Sequence, residues 1–457
     1  MAVNNTAACA SASSKEIPAS IAALFADAMA SLYLPSAPRM AVAVSGGADS
    51  LGLLFLLADW CAQNGGAIKA YTVNHNLRPE AKAEAEAVAA ICRTAHIPHD
   101  ILTWDFAVKP ESHVQERARI ARYDLLQAAC HRDGFDYLAT AHHLEDQIET
   151  FWMRLTHGSG IDGLAGMQPV RQLEQVTLIR PLLSMPRAYL RDVCQAQDVT
   201  WVEDPSNQNE NFLRPRLRGF EDMLAAEGLT PQRLGQTLQK LAEARGLLQQ
   251  MTDEAVQSCT VLSDMGYVVL NRATFATLPP ALAQRVLMRV LSAVAPAVYP
   301  PGSDTVQRLY TAMVAQDFAG QTAYGCDVQT QGDHYLITRE HAATAAAQPI
   351  VAGTVTRWDD RFDLPALPMG VQTESWTLGI LGSEGVAALR KQLADAPEIL
   401  TLFESLPGRV RAGLPVVRAG KNLLSVPHLS WIAADAPPEV QNLFLHFRGT
   451  MRAAKIV

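Results

Sequence analysis

The 457-residue sequence lacks the paired cysteines that mark several kinds of metal and redox site. No CxxC pair occurs, which disfavours a zinc knuckle, an iron–sulfur site and a dithiol redox motif. We therefore expect no zinc and no iron–sulfur cluster. The simplest interpretation is a set of reduced, mostly buried thiols in a cytoplasm. The seven cysteines are Cys9, Cys61, Cys92, Cys130, Cys194, Cys259 and Cys326.

Positive charge and long apolar runs are also scarce. The chain has 38 Lys and Arg against 46 Asp and Glu, a formal net charge of −8. Bulk electrostatics therefore give no argument for a nucleic-acid partner, although a local basic surface remains open. The longest apolar run, residues 51–57, is far shorter than the roughly 20 residues of a membrane span. Residues 1–20 lack a basic region followed by an apolar core, which indicates a flexible leader. We expect a soluble protein with no membrane partner.

The chain does contain a glycine turn between an apolar run at residues 41–44 and a helix-favouring segment from Leu51. Adjacent glycines permit positive φ values that aim backbone N–H groups into one concavity, and the next helix adds its positive end. No lysine follows as in GxxxxGK[ST], which excludes the mononucleotide P-loop, and Asp49 suggests a metal-bridged phosphate. An accidental glycine turn is the alternative. The predicted phosphate site comprises Ser45, Gly46, Gly47, Ala48, Asp49 and Ser50.

Strand-like and helix-like segments alternate in a βαβαβαβα order through the first third of the chain. This order predicts a Rossmann-like α/β fold, with a mostly parallel sheet and helices on both faces. Ligands of such sheets bind beyond the carboxyl ends of the strands. Polar clusters follow three predicted strands, at residues 45–50, 74–78 and 140–143. We expect them to converge on one edge, which disfavours the accidental turn.

Histidines and acids after the fourth predicted strand form a second candidate cluster. His142 and His143 precede a helix on which Glu145 and Glu149 share one face, with Asp146 beside them. Acidic residues at a helix start are commonly caps, an alternative that is weaker for Asp146 because it lies next to His143 at a strand end. Zinc is disfavoured because no third ligand appears at ordinary spacing and the carboxylates suit magnesium better.

Arginines form the third candidate group. Arg119 and Arg122 lie three apart on one predicted helix near the same sheet edge. A phosphoryl-transfer site needs fixed cations, and solvated or ion-paired arginines are the equal alternative. Arg180 ends a predicted strand after the glycine-rich, flexible segment HGSGIDGLAGM. A later loop, residues 201–219, suits polyphosphate or RNA backbone, or is a helix-start turn with surface arginines. Its arginines are Arg214, Arg216 and Arg218.

Seven segments resemble, in order and spacing, the tRNA(Ile)-lysidine synthetase family of N-type ATP pyrophosphatases, across about residues 38–220. The SGGxDS turn alone indicates only the superfamily, whereas the HHxxDQ-x-ET and SNxxxxFxR patterns narrow the match. The segments are SGGADS, NHNLRPEA, ERARIARY, TAHHLEDQIET, HGSGIDGLAGM, LIRPLL and EDPSNQNENFLRPRLR.

The resemblance implies a reaction in two steps. ATP first adenylates carbon 2 of the wobble cytidine in an isoleucine tRNA with a CAU anticodon, and pyrophosphate is released. The side-chain amine of L-lysine then attacks and releases AMP, which leaves lysidine in the tRNA.

The resemblance also implies roles by position. The turn residues would hold the pyrophosphate and its magnesium, with Asp49 as the magnesium ligand. His75 and Arg78 would lie near the nucleotide, and Arg119 would stabilise charge on the α-phosphate. Asp146 would be the acidic partner near lysine and cytidine, and it is our preferred acceptor of the lysine proton, since an ammonium is no nucleophile. His142 is also expected to contact ATP. Contacts with substrate, tRNA or phosphate are expected for His143, Glu149, Arg122, Arg214, Arg218, Arg409 and Arg411.

Three positions depart from the family pattern. Gln115 and Pro215 replace a usual Glu and a usual Asn, so neither receives a role from the resemblance. Glu145, in place of a common Asp, is a mild change.

The second half of the chain has weaker patterns. Residues 229–294 are helical in pattern, and strand-like pieces follow around YGCDVQTQGDHYLITRE. After an Ala-rich link at residues 342–347, the C-terminal portion resembles the family's last domain, which implies a tRNA contact. A small β-rich module with ordinary surface charge is the alternative. Its basic residues are Arg409, Arg411, Arg418 and Lys421.

We predict four regions. They are a flexible leader (1–20), a PP-loop ATP pyrophosphatase domain (21–225), a mainly helical substrate- or tRNA-binding domain (226–341) and a small α+β tRNA-binding domain (350–457).

The sequence as a whole predicts a cytoplasmic, bacterial-type ligase that uses ATP, L-lysine and Mg²⁺ on isoleucine tRNA. Two alternatives stay open. One is a tRNA cytidine thiolase of the same superfamily, which the missing CxxC pairs disfavour, and the other is a non-catalytic, nucleotide-dependent RNA-binding protein. A homodimer is a further expectation, although the sequence does not fix the oligomeric state.

Overall fold

The computed structural model describes residues 16–76, 80–105, 114–202, 221–297, 299–315, 317–441, 443–449 and 451. The chain divides into two compact units, Met1–Gly246 and Leu247–Val457, called here the N-terminal and C-terminal units. The division into a leader and three domains stays a prediction.

A six-stranded sheet organises the N-terminal unit. Its spatial order is β3-β2-β1-β4-β6-β5. All neighbours pair in parallel except β5, which runs antiparallel to β6. The mostly parallel sheet is therefore confirmed, with an antiparallel edge hairpin that the sequence analysis missed. The strands are β1 (Arg39–Ala43), β2 (Ala67–Asn74), β3 (His99–Thr103), β4 (Tyr137–Ala139), β5 (Val170–Gln172) and β6 (Thr177–Ile179).

Helices cover both faces of this sheet, as predicted. Successive residues of β1 point to opposite faces: Met40 and Val42 join one apolar cluster, and Ala41 joins another. The first cluster includes residues of α1, α2, α3 and α7, and the second includes residues of α4. The helices are α1 (Ala19–Ala30), α2 (Ala48–Gln63), α3 (Ala81–Thr94), α4 (Val114–Asp133), α5 (Leu144–Thr156), α6 (Ile161–Leu164), α7 (Arg187–Ala196), α8 (Glu221–Ala226) and α9 (Pro231–Cys259).

The C-terminal unit begins within α9, and its first sheet is antiparallel with the order β7-β8-β11-β10-β9. Its apolar side packs with two of the unit's helices, α11 and α12. The helical pattern expected over residues 229–294 missed the β7–β8 hairpin, whose turn contains Gly266 at φ +80° between β-branched segments. The elements are β7 (Thr260–Ser263), β8 (Tyr267–Asn271), α10 (Arg272–Ala276), α11 (Pro280–Val294), α12 (Ser303–Met313), β9 (Gly320–Ala323), β10 (Cys326–Gln331) and β11 (His334–Arg339).

The last part of the C-terminal unit is α+β, as predicted. A second antiparallel sheet has the order β12-β15-β16-β17-β18, and a third has the order β13-β14-β19. The elements are β12 (Gln348–Pro349), β13 (Thr356–Trp358), β14 (Phe362–Leu364), β15 (Trp376–Ile380), α13 (Gly382–Gln392), α14 (Pro397–Ser405), α15 (Gly408–Gly413), β16 (Pro415–Ala419), β17 (Asn422–Val426), β18 (Trp431–Ile432) and β19 (His446–Phe447).

Two further expectations concern the whole chain. The six cysteines within the described ranges are buried and form no disulfide, as expected, and Cys9 lies outside those ranges. None of the helices described here has the length and apolar character that crossing a membrane requires.

Candidate active site

The turn after β1 has the geometry expected of a phosphate cradle. Gly46 adopts φ +89°, and a Cβ at this position would meet Val88 Cγ2 at 3.1 Å. A side chain would therefore strain the turn. The Ser45 backbone N–H donates to Ser50 Oγ at 3.1 Å, and the Ser50 hydroxyl donates to the Gly47 carbonyl at 3.0 Å. These bonds fix the loop at the start of α2, where the helix dipole favours an anion.

Close packing of α2 against α7 brings an arginine side chain to this turn. Gly52 on α2 has no room for a side chain, because a Cβ would lie 2.9 Å from Leu190 Cβ on α7. The two helices therefore approach closely near their N-terminal ends. Arg187, the first residue of α7, donates from Nε to Asp49 Oδ1 at 3.0 Å. Asp49 is thus held from a segment 138 residues away along the chain.

His143 lies at the centre of a group of carboxylates. It precedes the first residue of α5, and its backbone N–H donates to Asp146 Oδ2 at 3.0 Å, which caps the helix. Its ring is buried, with Nδ1 2.9 Å from Glu145 Oε2. Nε2 lies 3.4 Å from Asp146 Oδ2 and 3.6 Å from Asp49 Oδ2. Burial alone would lower the pKa of His143, but these carboxylates outweigh it and raise the pKa to about 9.

Four residues form a closed ring of contacts, in which one link is made by a backbone N–H group. The Arg187 backbone N–H donates to Glu145 Oε2 at 2.9 Å, which links α7 to α5. Burial would raise the pKa of Asp49, yet the hydrogen bonds and charges of His143 and Arg187 hold it below its usual value. Glu145 behaves in the same way through His143. We call Asp49, His143, Glu145 and Arg187 the ionic ring. With His143 protonated, it contains two cations and two carboxylates, and Asp146 lies beside it as a third carboxylate, 3.4 Å from His143 Nε2.

The neighbouring histidine has the opposite charge state. His142 Nδ1 lies 3.0 Å from Thr140 Oγ1. Burial, followed by the positive charges of Arg180 and Arg119, lowers the pKa of His142 to about 4. His142 is therefore neutral near pH 7 and can accept or donate a single hydrogen bond at Nε2.

His75 follows β2 and is also neutral. The Arg122 guanidinium reaches its Nε2 at 3.2 Å, and the Trp104 ring meets it edge to face at 6.1 Å between centroids. Burial, followed by the charge of Arg122, lowers the pKa of His75 to about 4. The contact joins two predicted site residues from β2 and α4.

The glycine-rich segment before β5, expected to be flexible, is fastened at its end. The Gln147 side chain accepts from the Met167 N–H at 2.6 Å and donates to the Met167 carbonyl at 3.0 Å. Arg245 Nη1 donates to the Gly166 carbonyl at 2.9 Å. Gly166 has φ +69°, and a Cβ there would lie 2.5 Å from Gln147 Oε1. The segment therefore lies directly beside α5, the helix that carries the carboxylates.

Comparison with known proteins decides the family. The family model described as a PP-loop domain matches residues 15–220. The tRNA(Ile)-lysidine synthase of Wolbachia pipientis is 30% identical over 403 residues, which cover 86% of this chain and 89% of that protein. The chain belongs to the tRNA(Ile)-lysidine synthase family. Another protein of that name, from Methylobacterium nodulans, is 41% identical over 57% of this chain and 76% of its own length. A third, from Ruegeria pomeroyi, is 34% identical over 76% and 80%.

Most of the residues predicted for a lysidine synthase site gather at one sheet edge. The glycine turn follows β1, His75 follows β2 and the two histidines follow β4. On α4, the Arg119 guanidinium lies over the Tyr123 ring, 5.4 Å from its centroid. The charge of Arg119 contributes to the lowered pKa of His142. Glu149 is buried on α5, with 2% of its surface exposed. The expected convergence is confirmed for residues 45–50, 74–76 and 140–143, whereas residues 77 and 78 lie outside the described ranges and the role of each residue stays a prediction.

Other predicted contact residues are placed differently. Arg78, Arg214 and Arg218 lie outside the described residues, as does Pro215. In the C-terminal unit, Arg409 forms an ion pair with Asp327, and Arg411 forms one with Glu404. Part of the local basic charge is therefore neutralised within that unit, and its contact with tRNA stays a prediction.

Arg187 is the functional candidate that the sequence analysis missed. Its only sequence signal is a cation at the start of a helix that follows the strand-end Arg180-Pro181 pair. Helix-start arginines are common on protein surfaces, so the signal is weak. The contact with Asp49 depends on the close α2–α7 packing at Gly52, which no local pattern reveals.

Proposed function

We propose that this chain is a tRNA(Ile)-lysidine synthase that joins L-lysine to carbon 2 of the wobble cytidine in the isoleucine tRNA with a CAU anticodon. ATP is converted to AMP and pyrophosphate. The observation that carries the proposal is the meeting of the SGGADS turn with the ionic ring, in a chain that aligns with 89% of a protein of that name.

ATP binding at the turn is supported by its donors and its charge. The backbone around Gly46 and the N-terminal end of α2 offer N–H groups to the β- and γ-phosphates. Asp49 would hold Mg²⁺ beside them. In the described part of the chain, no three His, Cys, Asp or Glu side chains form a ready cation site. Mg²⁺ commonly uses one or two carboxylates together with substrate phosphates and waters, and Asp49 would supply one while Arg187 holds its other side.

The adenylation step would take place between the turn and His142. The cytidine carbonyl oxygen on carbon 2 attacks the α-phosphorus, and the bond to pyrophosphate breaks. Arg119 would stabilise the added charge on the α-phosphate, as an arginine fork suits phosphoryl oxygens. Neutral His142 can hydrogen-bond the nucleotide without adding a competing charge. The positive charge of Arg119 would thus act on the reacting α-phosphate without competition from His142.

The second step needs a neutral lysine amine. Asp146 uses Oδ2 for the cap of α5 and for His143, and among the described contacts its Oδ1 makes no hydrogen bond. We infer that Oδ1 accepts the ammonium proton as the amine attacks carbon 2, and AMP then leaves. Buried Glu149 lies one turn along the same helix, where its charge would help to hold the lysine side chain.

The remaining partners belong to the same proposal. Substrate or tRNA phosphates would be contacted by Arg122, His143, Arg214 and Arg218. The protein would work in the cytoplasm, where its tRNA substrate is found. The homodimer stays a prediction.

Product analysis tests the proposed function directly. The protein is incubated with cytidine-containing isoleucine tRNA, ATP, Mg²⁺ and labelled lysine, and the tRNA is digested to nucleosides. We expect one labelled nucleoside with the mass of a lysine–cytidine adduct. A thiolated cytidine would instead favour the thiolase, and unchanged tRNA across several magnesium concentrations would favour a non-catalytic RNA-binding protein.

A further inference from the structure

Two arginines of the β5–β6 hairpin share one face of the sheet. Arg171 pairs with Leu178, and the Arg180 backbone N–H donates to the Pro169 carbonyl at 2.8 Å, which continues the ladder. Because side chains alternate along a strand, Arg171, Leu178 and Arg180 point to the same face. Leu178 packs with residues of α4 in the second apolar cluster. Both arginines therefore lie on the side of the sheet that α4 covers.

Helix α4 adds a third guanidinium to this place. Tyr123 packs against the same apolar cluster, and the Arg119 guanidinium lies over its ring. Diagonal neighbours on adjacent strands are within reach of long side chains, so Arg171 and Arg180 can meet beneath Tyr123. We call Arg171, Arg180 and Tyr123, with Arg119 at their border, the arginine pocket.

The charge of this pocket is not compensated. Arg180 is 5% exposed, and its Nη1 donates to the Gln168 carbonyl at 2.8 Å. Its Nε and the Nε of Arg171 are buried without a hydrogen-bond partner. Neither guanidinium forms an ion pair among the described residues. Burial lowers the pKa of both groups; Tyr123 opposes this shift, and neighbouring arginine charges add to it. Buried cations without a counter-charge are unfavourable, and an anionic ligand would supply that charge.

We propose that Arg171 and Arg180 bind a phosphodiester of the RNA backbone beside the target cytidine. The proposal rests on the proposed function, which supplies the RNA. Guanidinium forks match phosphate oxygens, and the buried fork of Arg180 beside the half-buried fork of Arg171 suits one phosphate group.

The position of the pocket favours RNA over ATP as the source of the phosphate. The turn follows β1, and Arg180 follows β6, with β4 between them. At about 4.8 Å between strands, the two strand ends are about 10 Å apart. His142, which follows β4, therefore lies between the pyrophosphate cradle and the pocket. The RNA strand that leaves the reacting base would pass the pocket.

Binding measurements on matched variants test the subsite. The probes are the anticodon stem–loop of isoleucine tRNA with a CAU anticodon and, separately, ATP with Mg²⁺. We expect Arg180→Gln and Arg171→Gln each to weaken stem–loop binding about 10-fold and to reduce its salt dependence by about one ion. ATP binding should change less than about 2-fold, as expected for substitutions that lie away from its site. Arg180→Lys keeps the charge and should restore the salt dependence, while Arg93→Gln removes an exposed charge at the end of α3 and should bind like the wild type.

Three outcomes would overturn the subsite. One is wild-type stem–loop affinity in both Gln variants, and another is weakened ATP binding with intact RNA binding. The third is an equal loss in the Arg93 control. Arg171 lies on the edge strand β5, so its variant decides the matter if Arg180→Gln unfolds. A wild type that forms lysidine while both variants bind normally would reject the subsite alone, whereas a wild type that binds the stem–loop but forms no lysidine would reject the proposed function alone.

Discussion

The ionic ring and the arginine pocket lie in the same unit and differ in how their charges are balanced. In the ring, protonated His143 and Arg187 face Asp49 and Glu145. In the pocket, Arg171 and Arg180 have no carboxylate partner among the described residues. A balanced ring is complete before substrates arrive, and it can hold Asp49 in one place. An unbalanced pocket becomes favourable only when an anion enters.

The two adjacent histidines follow the same division. His143 is surrounded by carboxylates, and its pKa is raised to about 9. His142 is buried and faces arginine charges, and its pKa is lowered to about 4. The two histidines are adjacent in the chain yet differ in charge. Sequence position alone therefore does not fix the charge of either imidazole.

Replacing Asp49 should give the largest effect and tests the ring's proposed role in ATP chemistry. We expect Asp49→Asn to slow tRNA-dependent pyrophosphate release about 100- to 1000-fold, because the carboxylate charge beside the phosphates is lost. Stem–loop binding should stay near the wild-type value, since the pocket is intact. Pyrophosphate release at the wild-type rate would contradict the assignment.

Opening the ring at Arg187 should give the next largest effect. Arg187→Met removes the bond to Asp49 and keeps the length of the side chain. We expect kcat for pyrophosphate release to fall about 10- to 100-fold with little change in the KM for tRNA, as for other residues that position a ligand. Arg187→Lys should recover part of kcat. A purely structural role would instead lower the thermal stability of both variants and leave kcat of the folded protein unchanged.

A smaller effect is expected at Glu145, measured as the free energy of unfolding in urea. Glu145→Gln takes one carboxylate from protonated His143 and should destabilise the protein by about 1–3 kcal/mol. Glu86 is a matched control, because its contact with Lys82 is exposed and 4.0 Å long. Glu86→Gln should change stability by less than about 0.5 kcal/mol. Equal losses in the two variants would argue against a preformed ring.

The pH dependence of stability should show the smallest and most specific contrast. The raised pKa of His143 means that its stabilisation is complete below pH 6.5 and is lost as pH rises through about 9. The lowered pKa of His142 means that stability is lost as pH falls from 6.5 towards about 4. His143→Gln should therefore flatten the alkaline side of the profile, and His142→Gln the acidic side. The profiles come from unfolding curves measured across this pH range without ATP or magnesium. The same profile in the two variants would contradict the opposite charge states of the two histidines.

The sequence predicts features that depend on neighbours along the chain. The SGGADS turn follows from two glycines between a strand and a helix, and the parallel sheet follows from the alternation of elements. The balance of charge depends on contacts between distant segments. Arg187 reaches Asp49 only because Gly52 lets α2 and α7 touch. The isolation of Arg171 and Arg180 depends on an edge hairpin that the sequence analysis read as one strand.

The most direct test measures tRNA-dependent pyrophosphate release against stem–loop or tRNA concentration for Arg187→Met and Arg180→Gln side by side. The ring and the pocket should fail in different ways. Arg187→Met should lower the plateau at saturating RNA and leave the half-saturating concentration near the wild-type value. Arg180→Gln should raise the half-saturating concentration about 10-fold and approach the wild-type plateau. The same loss of plateau in both variants, with no shift in half-saturation, would contradict the separation of an ATP-side ring from an RNA-side pocket.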